Sequence, residues 1–162
     1  MAEMSARDRP LPVVVSGGQT GVDQGALTAA LDGGIRCGGW CPKGRRSEAG
    51  TIPIRFPVRE LSGSGYSERT RQNVVDSDGT AIIFDSVLEG GTRLAAMYCE
   101  QVGKPHVLID ATTLSRAEAL QVLDQFVSEN GISVLNVAGP RASKWPAGHD
   151  YAYALLTELI TG

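Results

Sequence analysis

A β-branched run that ends in glycines and turns into a helix presents unpaired main-chain amides. One such segment runs from Val13 to Asp23 as Val-Val-Val-Ser-Gly-Gly-Gln-Thr-Gly-Val-Asp. At this junction the first-turn N–H groups have no intrahelical acceptor and the helix dipole favours negative charge. Gly17, Gly18, Gln19, Thr20, Gly21 and Asp23 are therefore a candidate phosphate cradle. The segment has no Gly-Lys-Ser/Thr ending and no G-x-G-x-x-G spacing, so it is neither a P-loop nor a dinucleotide fingerprint. The same residues also fit a tight strand-to-helix connection in which Thr20 or Asp23 only caps the helix. A second turn, Asp85 to Thr92, follows the apolar run 81–84 and carries Gly90, Gly91 and Thr92. It reads either as a second anion contact or as a loop with Thr92 as N-cap. If both turns end neighbouring parallel strands, they face one crevice, where open α/β sheets bind ligands.

Cations are placed nearby in sequence. Lys43-Gly44-Arg45-Arg46 offers three positive charges in four residues, with guanidinium groups able to grip two oxygens at once. A solvated surface loop is the alternative. Arg69 and Asn73, four apart, share a helix face and are either ligand contacts or surface capping groups. Past another strand, Gly139-Pro140 enforces a turn that displays Arg141, Ser143 and Lys144 at the sheet's edge. Cys37 and Cys41 are spaced C-x₃-C without a second ligand pair, which argues against structural zinc, and neither His106 nor His149 has a nucleophile motif beside it. No residue is assigned a catalytic role. If the chain is an enzyme, Asp23, Asp76, Asp78 or Glu89 must supply the acid or base.

These residues need a scaffold, and the 162-residue chain has the composition for one. With 42% hydrophobic and 20% charged residues it is a folded globular sequence, long enough for one domain and short for two. A net charge of −3 gives no broad field for nucleic acid or an anionic membrane, so an anion must be held locally. Strands are expected at 13–15, about 35–40, 81–84, 106–109 and 133–137. Helical spacing marks 22–31, 67–76, 92–102, 115–130 and 150–160. In the fourth helix Ser115 and Glu118 form a capping box, with Gly131 past its end. Alternating strands and helices imply right-handed crossovers and a doubly wound α/β domain with a mainly parallel sheet of about five or more strands and helices on both faces. Residues 41–65 fit neither period and are expected to form a long ordered loop with a short extended piece. Residues 1–10 are expected to be a flexible tail before a single domain over 11–162. Three cysteines, no signal peptide and no membrane-length apolar run point to reducing cytoplasm.

Assembled in this way, the residues resemble the molybdenum cofactor carrier family, a circularly permuted YpsA-type branch of the SLOG nucleotide-binding superfamily. The likeness runs through Ser16-Gly-Gly-Gln-Thr-Gly-Val-Asp23, Gly38-Gly-Trp-Cys-Pro-Lys-Gly-Arg-Arg46, Tyr66 with Arg69-Thr70 and Asn73-Val74, Asp76-Ser-Asp-Gly79, Gly90-Gly-Thr92 and Asn136-Val-Ala-Gly-Pro-Arg141. It implies a Rossmann-like fold, a homo-oligomer (dimer or tetramer), and a bound molybdenum cofactor (molybdopterin) or nucleotide derivative. That ligand is a phosphate-bearing small molecule, with no nucleic-acid or membrane partner. The superfamily also includes LOG-type hydrolases that cleave the N-glycosidic bond of nucleoside monophosphates with a Gly-Thr-x-x-Glu glutamate. Here Thr92-Arg93-Leu94-Ala95 puts alanine at that place, which favours binding over catalysis.

Overall fold

The computed structural model describes residues 12–62 and 65–162; the tail expected at 1–10 lies outside the described residues. The elements run β1 (Val13–Val15), α1 (Val22–Asp32), β2 (Cys37–Gly38), β3 (Trp40–Cys41), β4 (Arg46–Ser47), β5 (Gly50–Thr51), β6 (Arg59–Glu60), α2 (Tyr66–Asp76), β7 (Gly79–Phe84), α3 (Gly90–Val102), β8 (His106–Asp110), α4 (Arg116–Glu129), β9 (Val134–Ala138) and α5 (Gly148–Thr161). Five strands form one parallel sheet in the order β2-β1-β9-β7-β8.

The sheet is covered on both faces because its strands carry apolar side chains on both. Along the fully buried β7, Ala81 and Ile83 enter a core with Val14, Leu135, Val137 and the apolar faces of α1, α4 and α5. The alternate residues Ile82 and Phe84 meet Ala95 and Ala96 of α3, against which α2 packs. The expected capping box is present in α4: Glu118 N–H donates to Ser115 Oγ at 3.1 Å, and Ser115 N–H donates to Glu118 Oε1 at 2.9 Å. No described helix is long and apolar enough to cross a membrane.

Two expectations change. The strand read at about 35–40 is broken at Gly39, whose φ is 130° and where a Cβ would sit 2.1 Å from the Ser16 carbonyl oxygen. The backbones of 16 and 39 touch, so β2 stays on β1 while β3 leaves the sheet and pairs with β6. The segment 41–65 holds more order than one extended piece. It contains the β4–β5 hairpin and a small core of Cys41, Ile52, Phe56 and Val58 packed on Leu27.

Arg45 holds this segment together. Its guanidinium donates to the carbonyl oxygens of Val58 (2.6 Å), Pro53 (2.9 Å), Phe56 (3.0 Å) and Ile52 (3.4 Å). Hydrogen bonds from a charged donor contribute about 1.5–3 kcal/mol each and do not add fully. Arg45→Ala is therefore expected to lower the urea-denaturation stability by about 2–4 kcal/mol. The exposed Arg46, whose side chain bonds the Lys43 carbonyl alone among the described residues, should change it by less than about 0.5 kcal/mol when replaced by alanine. Equal effects would show that Arg45 is not a staple.

Candidate functional site

The topology gathers loops at the carboxyl ends of three strands. β1 crosses through α1 to one side, β7 crosses through α3 to the other, and β9 returns between them. The two glycine turns thus do not end neighbouring strands, as the sequence suggests; β9 lies between, and its loop 139–145 joins them. Together they bound a cleft of about 820 Å³, with α2 contributing Tyr66, Arg69 and Thr70 to its wall.

On one side the cleft receives the amino end of α3. This helix begins two residues earlier than its periodicity suggests, so Gly90, Gly91 and Thr92 are its first turn and Glu89 is the N-cap. The Glu89 side chain makes no capping bond, and the first turn contains no acid. A Cβ on Gly90 or Gly91 would meet nothing within 4 Å. Among the described residues no side chain caps these amides, so they and the positive end of a 13-residue dipole open into the cleft. Before this turn, Ser86 has a φ of 62°, and its N–H donates to Asp110 Oδ1 at 3.0 Å. Asp110 also accepts from the N–H and hydroxyl of Thr112, and these donors hold its carboxyl below the usual range.

The lining also carries a largely buried ion pair. Arg69 Nη1 lies 3.8 Å from Asp23 Oδ2, with the two side chains 13% and 5% exposed. Asp23 also accepts the Gln19 N–H at 3.2 Å. Burial pushes its carboxyl up from 3.8 to about 6, and the attraction of Arg69 only partly offsets that penalty. The Arg69 guanidinium lies 5.8 Å from the centre of the Tyr66 ring, and its buried Nε–H has no hydrogen-bond partner among the described residues.

At the mouth, Glu48 from the tip of the β4–β5 hairpin joins the first and third loops. Oε1 accepts from Thr20 Oγ1 at 2.6 Å and the Ser143 N–H at 3.0 Å. Oε2 accepts from Ser143 Oγ at 2.6 Å and lies 3.2 Å from Arg141 Nε. The Glu48 N–H donates to Gln19 Oε1 at 2.9 Å. The Ser143 and Thr20 donors, with Arg141, hold this carboxyl down at about 2.

Of the residues singled out in the sequence, Gln19, Asp23, Arg69, Gly90, Gly91, Thr92 and Arg141 line the cleft. Thr20 reaches its mouth through Glu48. The glycines of the first turn are packed rather than open. Arg69 lies over Gly17, Ile52 and Val58 cover Gly18, and the backbone of 140–142 covers Gly21. The Val22 N–H, an amide expected to meet a ligand, donates to Pro140 O at 3.3 Å. Lys43, Gly44, Arg45 and Arg46 are not part of the lining, because their segment folds on its own core and Arg45 is spent on carbonyls. Asn73 bonds both the N–H and the carbonyl of Trp40, acting as a strand partner for β3. Sequence reasoning passed over Glu48 and Ser86. The one signal for Glu48 is that it is the acid that closes a basic run.

The carboxylates considered for catalysis separate in the same way. Asp78 caps the amino end of β9 by accepting the N–H groups of Ser133 and Val134, and Asp76 accepts from Trp40 Nε1. Asp23 and Glu89 line the cleft. Ala95 is buried against Ile82 and Phe84. Among the described residues, no three His, Cys, Asp or Glu side chains come together as a metal site.

A parallel α/β sheet with a cleft over its strand ends, at the point where the crossovers diverge, defines a Rossmann-like fold. The chain belongs to the circularly permutated YpsA SLOG family, whose sequence model matches residues 14–160. Among solved structures it is similar to the crystal structure of "Putative molybdenum carrier protein" from Syntrophus aciditrophicus SB. The identity is 40%, the TM-score is 0.89, and the match covers 94% of this chain and 96% of the other. A search of curated proteins finds no match.

Proposed function

We propose that this protein binds and carries a phosphate-bearing small molecule, molybdenum cofactor or a nucleotide derivative, and places the phosphate on the first turn of α3. The supporting observation is that uncapped, acid-free turn, which opens into a cleft also lined by Arg69, Arg141 and Lys144. The helix dipole and the amides of that turn favour an anion there, while Arg69 and Arg141 reach the cleft already paired with Asp23 and Glu48. The family membership and the name of the similar structure agree with a carried ligand. The packed first glycine turn keeps the site's shape by fixing Asp23 and Arg69.

A panel of molybdenum cofactor, nucleotides and inorganic phosphate, read by thermal shift, tests the reading; a bound ligand raises the melting temperature with its concentration. Gly91→Asp puts a carboxylate in the first turn of α3, where it suits the helix but competes with an anion. We expect a folded variant whose phosphate-ligand affinity drops tenfold or more, about 1.4 kcal/mol. Unchanged affinity would move the site away from α3.

One observation favours a second reading, N-glycosidic cleavage of a nucleoside monophosphate: Asp23, with its carboxyl near 6, lines the same cleft. Release of free base by the native chain, lost in Asp23→Asn, would establish it. Ala95, buried on the sheet in place of the LOG-type glutamate, argues for carriage.

A further inference from the structure

Glu48 lies where a ligand oxyanion would be well held. Its two oxygens accept from two hydroxyls and one main-chain N–H, supplied by Thr20 and Ser143, and Oε2 pairs with the Arg141 guanidinium, whose Nε–H donates to Ser143 Oγ at 3.2 Å. None of these donors comes from the hairpin that carries Glu48. They belong to the loops after β1 and β9, which are parts of the cleft itself. Thr20 is held by a contact that does not involve Glu48, since its Oγ1 accepts the Ala142 N–H at 3.1 Å. The Ser143 N–H is fixed by the backbone. The donor set is therefore a built anion site that the chain fills with its own carboxylate.

The carrier of that carboxylate is held on both sides. Arg45 precedes the hairpin and is tied to four carbonyls, and Ile52, which follows it, is buried in the small core. The Glu48 N–H is bonded to Gln19. A tethered anion competes at an effective concentration of roughly millimolar or higher, which a free ligand must exceed.

We infer that Thr20, Ser143 and Arg141 form a second phosphate-binding site in the cleft and that Glu48, by occupying it, restricts the native protein to ligands with a single phosphate group. Glu48 is thus a specificity-determining residue. A second phosphate on the ligand meets both a filled donor set and a like charge. The inference rests on the reading that α3 takes the first phosphate, but the two can fail separately.

The test counts bound inorganic phosphate by equilibrium dialysis in the full-length chain. The native protein is expected to bind one phosphate, and Glu48→Ala two. Gly91→Asp is expected to bind none, and the double variant Gly91→Asp/Glu48→Ala one. Adding Thr20→Val and Ser143→Ala to Glu48→Ala should return the count from two to one; these changes remove donors of the site without changing the net charge, which separates a real site from a general gain in positive charge. Glu48→Ser, whose short side chain also vacates the donor set, replaces Glu48→Ala if the alanine variant does not fold. The same count in the native chain and in the folded Glu48 variant overturns the inference. A gain of one phosphate in Glu48→Ala together with no effect of Gly91→Asp keeps the inference and overturns the α3 site.

Discussion

Alanine at position 21 is expected to destabilise the fold by about 3 kcal/mol or more, lowering the melting temperature by about 6 °C or more. Gly21 has a φ of 86°, which costs an L-residue about 1–2 kcal/mol. A Cβ there would also lie 2.5 Å from Pro140 O, 2.8 Å from Ala142 N and 2.9 Å from Arg141 C. All three are backbone atoms, so no rotamer change relieves the overlap, and the loop 139–145 must move. That loop lines the cleft and carries two of the three residues that hold Glu48, so a folded Gly21→Ala variant should also lose the Glu48 contacts. Gly34→Ala is the control. Its φ is 70° with nothing within 4 Å of the added carbon, so only the backbone cost of about 1–2 kcal/mol applies. Urea denaturation of the two variants checks the difference; equal losses would mean that the turn and the 140–142 backbone are not tightly packed. The sequence alone places Gly21 in an open phosphate cradle, where bulk would be expected to harm binding first. The backbone of 140–142 packed on Gly21 makes stability the larger expected loss there.

The reversal shows what a single sequence can and cannot carry. Local patterns were legible: the continuous apolar run of β7 marks a strand covered on both faces, and Ser115 with Glu118 marks the start of α4. So was the location of the cleft, because glycine turns after strands belong at one edge of a parallel sheet. What a missing Cβ makes room for was not legible. At Gly91 it leaves open space, and at Gly21 it admits a loop from the far end of the chain. Both look alike in sequence. The strand order had the same obstacle, since nothing local places β9 between β1 and β7. The start of α3 was read two residues late because glycine carries no apolar period. The basic run 43–46 shows how a charge pattern misleads. Arg45 satisfies carbonyls of a segment without regular hydrogen bonding, a need visible only once that segment is folded.

Asp23 leads to the second large effect, a stability that falls as pH rises through the range where its carboxyl ionises. Its folded-state value of about 6 lies above the ordinary 3.8, so the native state holds the proton more tightly than the unfolded chain. The associated stability is fully present below about pH 3.8, declines as the pH rises and is lost above about 6. Asn at this position cannot ionise. The stability of Asp23→Asn relative to the native protein should therefore improve by about 2 kcal/mol between pH 4 and pH 7, whatever constant cost the variant pays for leaving Arg69 without its carboxylate. Denaturation curves of both proteins at several pH values give this difference directly, with effects common to both cancelled. A pH-independent difference would show that the buried carboxyl is not strained by its surroundings. A neutral amide would thus avoid the pH-dependent penalty, yet the chain keeps a charged pair in the wall of its cleft. Destabilising charges of this kind concentrate where a protein handles ligands, and here the pair holds a guanidinium facing the same cleft as the open turn of α3.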